Sequence, residues 1–121
     1  MRLHALRGAT SVEADERQAI LDATDALMRE LLQRNQLEPA DLVSCLFTLT
    51  QDLHAEFPAV AAREMGLSAV PLMCAQELAV ENAMPRVIRV MVHCYLRDGL
   101  EPQHVYLGEA RKLRLDLEGA Q

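Results

Sequence analysis

The stretch CAQELAVENAMPRVIRVMVHCY, Cys74–Tyr95, contains the pattern that decides the fold. Its second half alternates with the period of two that is typical of a β-strand. One face of this strand is wholly apolar and consists of Ile88, Val90, Val92 and Cys94. The opposite face carries Arg89 between Val87 and Met91, followed by His93. A guanidinium keeps its charge and is costly to bury without an anionic partner. We therefore expect Arg89 to meet a carboxylate of the protein or a ligand, or else to reach water from an edge strand.

The first third of the chain predicts a strand followed by a long helix. Residues 2–7 form the strand, and Gly8 after it lets another group approach the backbone closely. Thr10 and Glu13 fit a capping box, so the helix is expected to open there. Its apolar stripe continues to about Arg34, where the helix should end.

The middle of the chain predicts a second strand, a second helix and a third strand. Residues 42–50 are rich in β-forming side chains. Pro58 suits the first position of a helix, and Arg63 lies within that helix. Residues 70–75 form the third strand, in which Pro71 is typical of a sheet edge.

The rest of the chain completes an α+β pattern. After the strand that holds Arg89, residues 97–99 form a turn and residues 104–107 a last short strand, and the tail from about residue 115 is expected to be mobile. The order β-α-β-α-β-β-β predicts a mixed β-sheet with two helices on one face. No third long amphipathic segment remains to cover the face that holds Arg89. Packing against copies of the same chain is the simplest way to cover it.

Length and composition limit the class of protein. A chain of 121 residues with 50% hydrophobic residues predicts one domain, residues 1–121, with a sizeable core. No apolar run has the length of a membrane span, and no signal peptide is recognised, which predicts a cytoplasmic protein that binds no membrane. Three cysteines without CxxC spacing argue against a disulfide framework. The net charge of −6 disfavours binding to nucleic acid.

Several cations and a few polar groups remain as candidate site residues. Eleven of the twelve basic residues are Arg, a bias that favours bidentate recognition of carboxylate or phosphate, although genome composition or heat adaptation also produces it. The four His are scattered, so we predict no metal. The motifs of serine hydrolases, P-loops, dinucleotide sites and zinc proteases are absent from the sequence. The candidate set suits the binding of a small polyanion better than hydrolysis and consists of Arg7, Arg63, Cys74, Glu77, Arg89, Tyr106 and Arg114.

The chain resembles the AroH-type bacterial chorismate mutases over nearly its whole length. The resemblance rests on six segments that occur together, in order and at the family's spacing. They are RGAT (7–10), QDLHAEFP (51–58) with Arg63 after it, VPLMCAQE (70–77), VIRVM (87–91), HVYL (104–107) and LRLDL (113–117). The resemblance implies a homotrimeric pseudo-α/β-barrel with clefts between neighbouring subunits. It also implies an isomerase that rearranges chorismate to prephenate, on the route to Phe and Tyr, without a cofactor.

The resemblance also implies roles for single residues. Arg89 would donate to the ether oxygen of the breaking C–O bond. Arg7 and Tyr106 would bind a carboxylate of the enolpyruvyl arm, and Glu77 and Cys74 would engage the ring hydroxyl. The residues expected at the wall and mouth of the pocket are Phe57, Arg63 and Arg114. Many relatives carry a Lys where this chain has Val60, so we expect weaker substrate capture here, with more effect on KM than on the chemical step.

The chemistry fits these residue types. A Claisen rearrangement needs a chair-like conformer but no proton transfer, nucleophile or cofactor. An enzyme helps by restricting the conformer and by placing a fixed cation where negative charge grows on the ether oxygen. We therefore expect kcat to be nearly flat over about pH 6–8, with no solvent isotope effect. Two alternatives stay open: a non-catalytic trimeric module that binds a small carboxylate, and a trimeric imine deaminase. From the sequence pattern alone, Tyr106 and Cys74 would be interpreted as core residues, and Glu77 as a partner in an ordinary ion pair.

Overall fold

The Arg89 strand lies at the centre of a mixed five-stranded sheet. The structure, a computed structural model, describes residues 1–114. The strands run in the order β3-β2-β4-β1-β5, with β4 antiparallel to both of its neighbours and the outer pairs parallel. The strands are β1 Arg2–Ser11, β2 Leu42–Leu49, β3 Leu72–Gln76, β4 Val87–Leu96 and β5 Val105–Tyr106. The helices are α1 Arg17–Arg34 and α2 Pro58–Glu64, with 3-10 turns at Pro39–Asp41 and Gly108–Ala110 and helical residues at 111–114. The predicted α+β class and element order are confirmed.

One face of the sheet packs against the two helices and forms the core. The apolar face predicted for β4 is buried there, and Leu6, Phe47 and Leu31 lie in the same cluster. Burial raises the pKa of the Cys45 and Cys94 thiols to about 11, so both stay protonated at neutral pH. None of the helices within residues 1–114 is long and apolar enough to cross a membrane.

Gly8 permits a close approach of α1 to the sheet. A Cβ at this position would lie 2.8 Å from Leu31 Cδ1 and 2.9 Å from Val90 Cγ1. Those separations are shorter than van der Waals contact, so a Cβ at this position would force the Leu31 or Val90 side chain to shift. The prediction that Gly8 allows a close approach is confirmed.

The start of the first helix was wrongly predicted. Thr10 and Ser11 belong to β1, where they pair with Ile88 and Val87 of β4, and α1 begins only at Arg17. The Thr10 hydroxyl donates to the Ser11 carbonyl, so it caps no helix. Pairing along the whole of β4 outweighs the local capping chemistry. The predicted helix end at Arg34 is correct.

The other boundaries agree with the sequence within a few residues. Pro58 is the first residue of α2, and β3 is an edge strand, as Pro71 indicated. Because β4 is central, the reading of Arg89 as an edge-strand residue is wrong. The tail predicted to be mobile from about residue 115 lies outside the described residues.

The second face of the sheet, which we call the outer face, carries Arg89. Its side chains come from alternate positions of β1, β2, β3 and β4, as the strand registers require. Large apolar side chains are exposed on it: Leu3, Leu46, Met73, Met91 and Tyr95. Neither α1 nor α2 covers this face within the described chain.

Candidate active site

The carboxylate of Glu77, which directly follows the edge strand β3, lies on one side of Arg89. Arg89 Nη1 lies 3.6 Å from Glu77 Oε1, and the Thr48 hydroxyl donates to Glu77 Oε2 over 2.6 Å. Thr48 is directly opposite Arg89 in the β2–β4 register, so all three groups meet on the outer face. The Glu77 side chain is only 17% exposed, which strengthens its electrostatic influence on the guanidinium.

The guanidinium of Arg89 keeps one donor unused. Its Nε is buried and has no hydrogen-bond partner among residues 1–114. A buried N–H that finds no acceptor carries a free-energy cost of about 1–3 kcal/mol. An acceptor from outside these residues, such as a ligand oxygen, would remove that cost. This orphan donor is the feature of the site that points most directly to a ligand.

Arg7 and Tyr106 reach the same cavity from the other side of β4. The cavity has a volume of about 880 Å³, and its lining includes Arg7, Arg89, Tyr106, Thr48 and Leu113. Arg7 pairs with Met91 across β1 and β4, and Tyr106 pairs with Ala9 across β1 and β5. Two guanidinium groups and a phenol therefore converge on one concave surface, an arrangement that suits a small anion.

Backbone contacts hold β5 in place beside Arg7. The backbone N–H of Arg7 donates to Nδ1 of His104 over 3.0 Å, and the N–H of Leu107 donates to the Ala9 carbonyl over 2.9 Å. Both contacts lie next to Tyr106. The short strand that supplies Tyr106 is thus tied to β1 at each end.

A second group of predicted site residues lies beside α2. Phe57 and Cys74 line a separate cavity of about 320 Å³, together with Glu56 and Gln76. Phe57 is 63% exposed, an unusual degree for an aromatic residue in a chain that has only two Phe. Glu56 Oε1 accepts the backbone N–H of Phe57, and Glu56 Oε2 accepts a hydrogen bond from Arg17. These contacts fix the start of α2.

Cys74 has the character of a neutral thiol. Burial raises its pKa above the ordinary value of 9.0, although an N–H from Ala59 and the charge of Arg63 act in the opposite direction. At neutral pH the thiol is protonated, so it is suited to donating a hydrogen bond and not to acting as a nucleophile. Arg63 is exposed at the last turn of α2, near enough for its charge to act on Cys74.

The two groups face opposite sides of the same sheet. Cys74 pairs with Phe47, which is fully buried on the helix face, whereas Arg89 pairs with Thr48 on the outer face. Side chains at neighbouring positions of a strand point to opposite faces. The structure therefore brings Arg7, Glu77, Arg89 and Tyr106 together, and it places Phe57, Arg63 and Cys74 elsewhere on the same chain.

Arg114 lies on the side of the first group. It is exposed in the helical residues 111–114, and its charge acts on His104. Leu113, its neighbour, lines the 880 Å³ cavity. The arginine predicted for the mouth of the pocket is thus on an element that borders the cavity.

Sequence reasoning missed two residues of the site. Thr48 orients Glu77, and its position could have been found because it shares the alternation that places Leu46 on the outer face. His104 lies in the HVYL segment, and the sequence indicates no role for it. Its contact with Arg7 depends on the pairing of β1 with β5, which no local pattern reveals.

Comparisons with known proteins agree on one family. The family model described as chorismate mutase type I matches residues 3–117. The chain is 44% identical to chorismate mutase AroH of Thermus thermophilus, over 98% of this chain and 99% of that protein. It is 41% identical to chorismate mutase AroH of Bacillus subtilis (strain 168), over 97% of this chain and 94% of that protein. The solved structure of a chorismate mutase from Clostridium thermocellum is similar, with a TM-score of 0.87 and 41% identity, over 90% of this chain and 98% of that one.

Proposed function

This chain belongs to the chorismate mutase type I family, and we propose that it rearranges chorismate to prephenate in the cavity between Arg7, Arg89 and Tyr106. It is thus an isomerase, and the rearrangement lies on the route to the aromatic amino acids. The observation that supports this site most strongly is the buried, unpartnered Nε of Arg89. A donor at the ether oxygen would stabilise the negative charge that grows there during the rearrangement.

Arg89 supplies the electrostatic part of catalysis in this proposal. As the C–O bond stretches, negative charge grows on the ether oxygen, and a fixed cation stabilises it without having to reorganise. Glu77 and the central position of β4 hold the guanidinium in place. Losing one preorganised donor of this kind costs about 3–4 kcal/mol, a factor of roughly 10²–10³ in rate.

Arg7, Tyr106 and Glu77 supply the conformational part. Arg7 and Tyr106 bind a carboxylate of the side arm, while Glu77 accepts a hydrogen bond from the ring hydroxyl. Pinning both ends of the substrate restricts it to the compact conformer that reacts. No step in this scheme transfers a proton or requires a cofactor.

We further propose that the chain forms a homotrimer whose sites lie between subunits. The exposed apolar side chains of the outer face form a surface that a second copy would cover. In that assembly the Phe57, Arg63 and Cys74 group of one subunit would close the cavity of its neighbour. The separation of the two groups on opposite faces of one chain supports this arrangement. The three free cysteines are consistent with a cytoplasmic location, which we include in the proposal.

The loss of chorismate absorbance on adding the purified protein tests the function. We expect turnover to prephenate, and we expect Arg97→Ala, which removes a charge at the opposite end of β4, to leave it intact. Saturable binding of chorismate without turnover would favour the carboxylate-binding module. Ammonia release from imino acids would favour the deaminase.

Mixed oligomers test the division of the site between subunits. Arg89→Ala alters one group, and the double variant Phe57→Ala with Arg63→Ala alters the other. If each site combines groups from two subunits, then refolding the two inactive proteins together restores part of the activity, because some sites receive two intact groups. If both groups came from one subunit, then no mixture would contain an intact site and activity would stay at the level of the separate variants.

A further inference from the structure

We propose that His104 is a positioning residue, whose neutral imidazole holds Arg7 and Tyr106 in register for the substrate carboxylate. This inference builds on the proposed function, since it assigns Arg7 and Tyr106 to one substrate group. His104 does not line the cavity and is not expected to touch the substrate. Its action passes through the backbone of Arg7.

The hydrogen bond between Arg7 and His104 determines the protonation state of the ring. The backbone N–H of Arg7 is the donor, so Nδ1 of His104 must present a lone pair. The proton of the neutral ring then sits on Nε2, and an imidazolium cannot make this contact. A backbone donor has thereby fixed both the tautomer and the charge of His104.

The contact lies where the two site-bearing strands meet. In the parallel ladder between β1 and β5, Gly8 pairs with Val105 and Ala9 with Tyr106. The imidazole extends this two-residue ladder by one bond, on the side of Arg7. Because β5 is so short, a single added bond is a large share of what aligns Tyr106 with Arg7.

The residue before His104 is anchored to α1. The Asn35 side chain, which is buried, accepts the N–H of Gln103 over 2.8 Å and donates to the Gln103 carbonyl over 2.9 Å. Gln103 therefore has both of its backbone groups fixed by one side chain. With its N-terminal neighbour held in this way, the backbone of His104 lies beside β1, from where its ring reaches the Arg7 N–H.

The charges around the ring keep it neutral. Burial, and then the cationic Arg7 on β1 and Arg114 in the helical residues 111–114, lower the pKa of His104 below its ordinary value of 6.5. Protonation would remove the acceptor of the Arg7 N–H and would add a third positive charge beside two guanidinium groups. His104 is exposed enough to exchange its proton with solvent.

A pH dependence with a definite sign follows. The neutral ring, and with it the contact, is fully present above pH 6.5 and is lost as the pH falls through the lowered pKa of the folded protein. Because the rearrangement transfers no proton, the rate should otherwise be flat. We therefore expect an acid limb in kcat/KM that reports the positioning of Arg7 and not the chemical step, with a midpoint below pH 6.5.

Two amide variants of His104 distinguish the effect of its hydrogen bond to Arg7 from the effect of its size. In His104→Asn the side-chain oxygen can occupy the place of Nδ1 and still accept the Arg7 N–H, whereas in His104→Gln the amide lies farther out, near the place of Nε2. We expect His104→Asn to keep kcat/KM within about threefold of wild type and to lack the acid limb. We expect His104→Gln to lower kcat/KM about tenfold, mainly through KM, because Arg7 binds the substrate before the reaction as well as during it. His4→Gln, a substitution of a partly buried histidine elsewhere on β1, should leave the acid limb unchanged.

A measurement without substrate keeps this proposal separate from the proposed function. Hydrogen exchange of the Arg7 amide, followed by NMR in the free protein, should be slow at pH 7. Relative to the intrinsic exchange rate at each pH, which itself falls with pH, exchange should become fast below the His104 pKa and at all pH values in His104→Gln. Equal kcat/KM for the Asn and Gln variants, or an acid limb that persists in His104→Asn, would overturn the positioning role. Absence of mutase activity in the wild-type protein, with the exchange pattern intact, would instead refute the proposed function alone.

Discussion

Burying part of the Arg89 guanidinium costs free energy, and the same charge can stabilise an anionic ligand. The side chain is 39% exposed, yet its Nε is buried without a partner among the described residues. Glu77 compensates part of the charge, and the Arg89 side chain lines a cavity that Arg7 and Tyr106 also line. A residue in such a position is poorly satisfied until an anionic oxygen arrives. This is the arrangement expected of a side chain that stabilises a developing negative charge.

Val60 gives a prediction at the scale of a single residue. It is partly buried in α2, in the first turn after Phe57. Val60→Lys would add a cation to the group formed by Phe57, Arg63 and Cys74, which raises the local potential felt by a dianion. We expect KM to fall and kcat to change little, in steady-state assays at low ionic strength.

The control for this prediction is Val60→Gln, which adds polarity and length without charge. The effect of the Lys variant on KM should shrink as salt is added, because salt screens an exposed charge. A change confined to kcat, or an equal effect of Gln and Lys, would contradict the peripheral, electrostatic role given to this position.

At the scale of elements, sequence patterns predicted what depends on neighbours along the chain. The two faces of β4 follow from strict alternation, and the ends of the helices follow from Pro58 and from Asn35, which caps α1. The start of α1 was wrong because Thr10 pairs with Ile88, far away in sequence. Long-range pairing competes with capping chemistry, and only the folded sheet decides between them.

Gly8 gives a prediction about the packing of α1 on the sheet. Gly8→Ala would place a Cβ under 3.0 Å from Leu31 and Val90. Overpacking of this kind costs about 1–3 kcal/mol of unfolding free energy. Chemical denaturation of the wild type and the variant measures the loss.

A double-mutant cycle identifies the cause of that loss. If the clash with Leu31 is responsible, then Gly8→Ala should cost much less in a Leu31→Ala background, where the helix has left space. Additive effects of the two substitutions would show that the close approach of α1 is not what requires glycine.

Asp15 gives a prediction about the loop that leads to Phe57. Its Oδ1 accepts the backbone N–H groups of His54 and Ala55 over 2.8 and 2.9 Å. The hydrogen bond from His54 is the main reason why the pKa of Asp15 lies below 3.8. A carboxylate whose pKa is lowered by folding stabilises the folded state above its unfolded pKa, and this contribution is lost as the pH falls through the folded value.

Urea denaturation of Asp15→Asn at several pH values checks this assignment. We expect the variant to be less stable than wild type at pH 7, and we expect the difference to shrink below pH 3.8 and to disappear once the pH has fallen through the lowered pKa of Asp15. Glu13→Gln, at an exposed position on the same connection, serves as the control and should show a smaller difference at pH 7. A stability difference for Asp15→Asn that stays constant with pH would contradict the role of the charge.

At the scale of the whole molecule, the chain carries the predicted site residues in two parts that do not meet. The family resemblance predicted the residue types of both parts, and the structure places them on opposite faces of the sheet. No sequence pattern could show this, since the faces of Cys74 and Arg89 depend on the registers of β3 and β4 with β2. The same registers bring Glu77 beside Arg89. What the sequence leaves undetermined is therefore long-range register, and the proposed trimer is the simplest assembly that would reunite the two parts.

The measurement that tests the central claim most directly is kcat for Arg89→Ala compared with Arg97→Ala, at saturating chorismate. Each substitution removes one guanidinium group, from Arg89 on β4 or from Arg97 directly after it. Only Arg89 lines the cavity beside Arg7 and Tyr106. The account predicts that Arg89→Ala lowers kcat by at least about 10²–10³, with folding unchanged by circular dichroism, and that Arg97→Ala stays near wild type. A folded Arg89→Ala protein with near-normal kcat would contradict it.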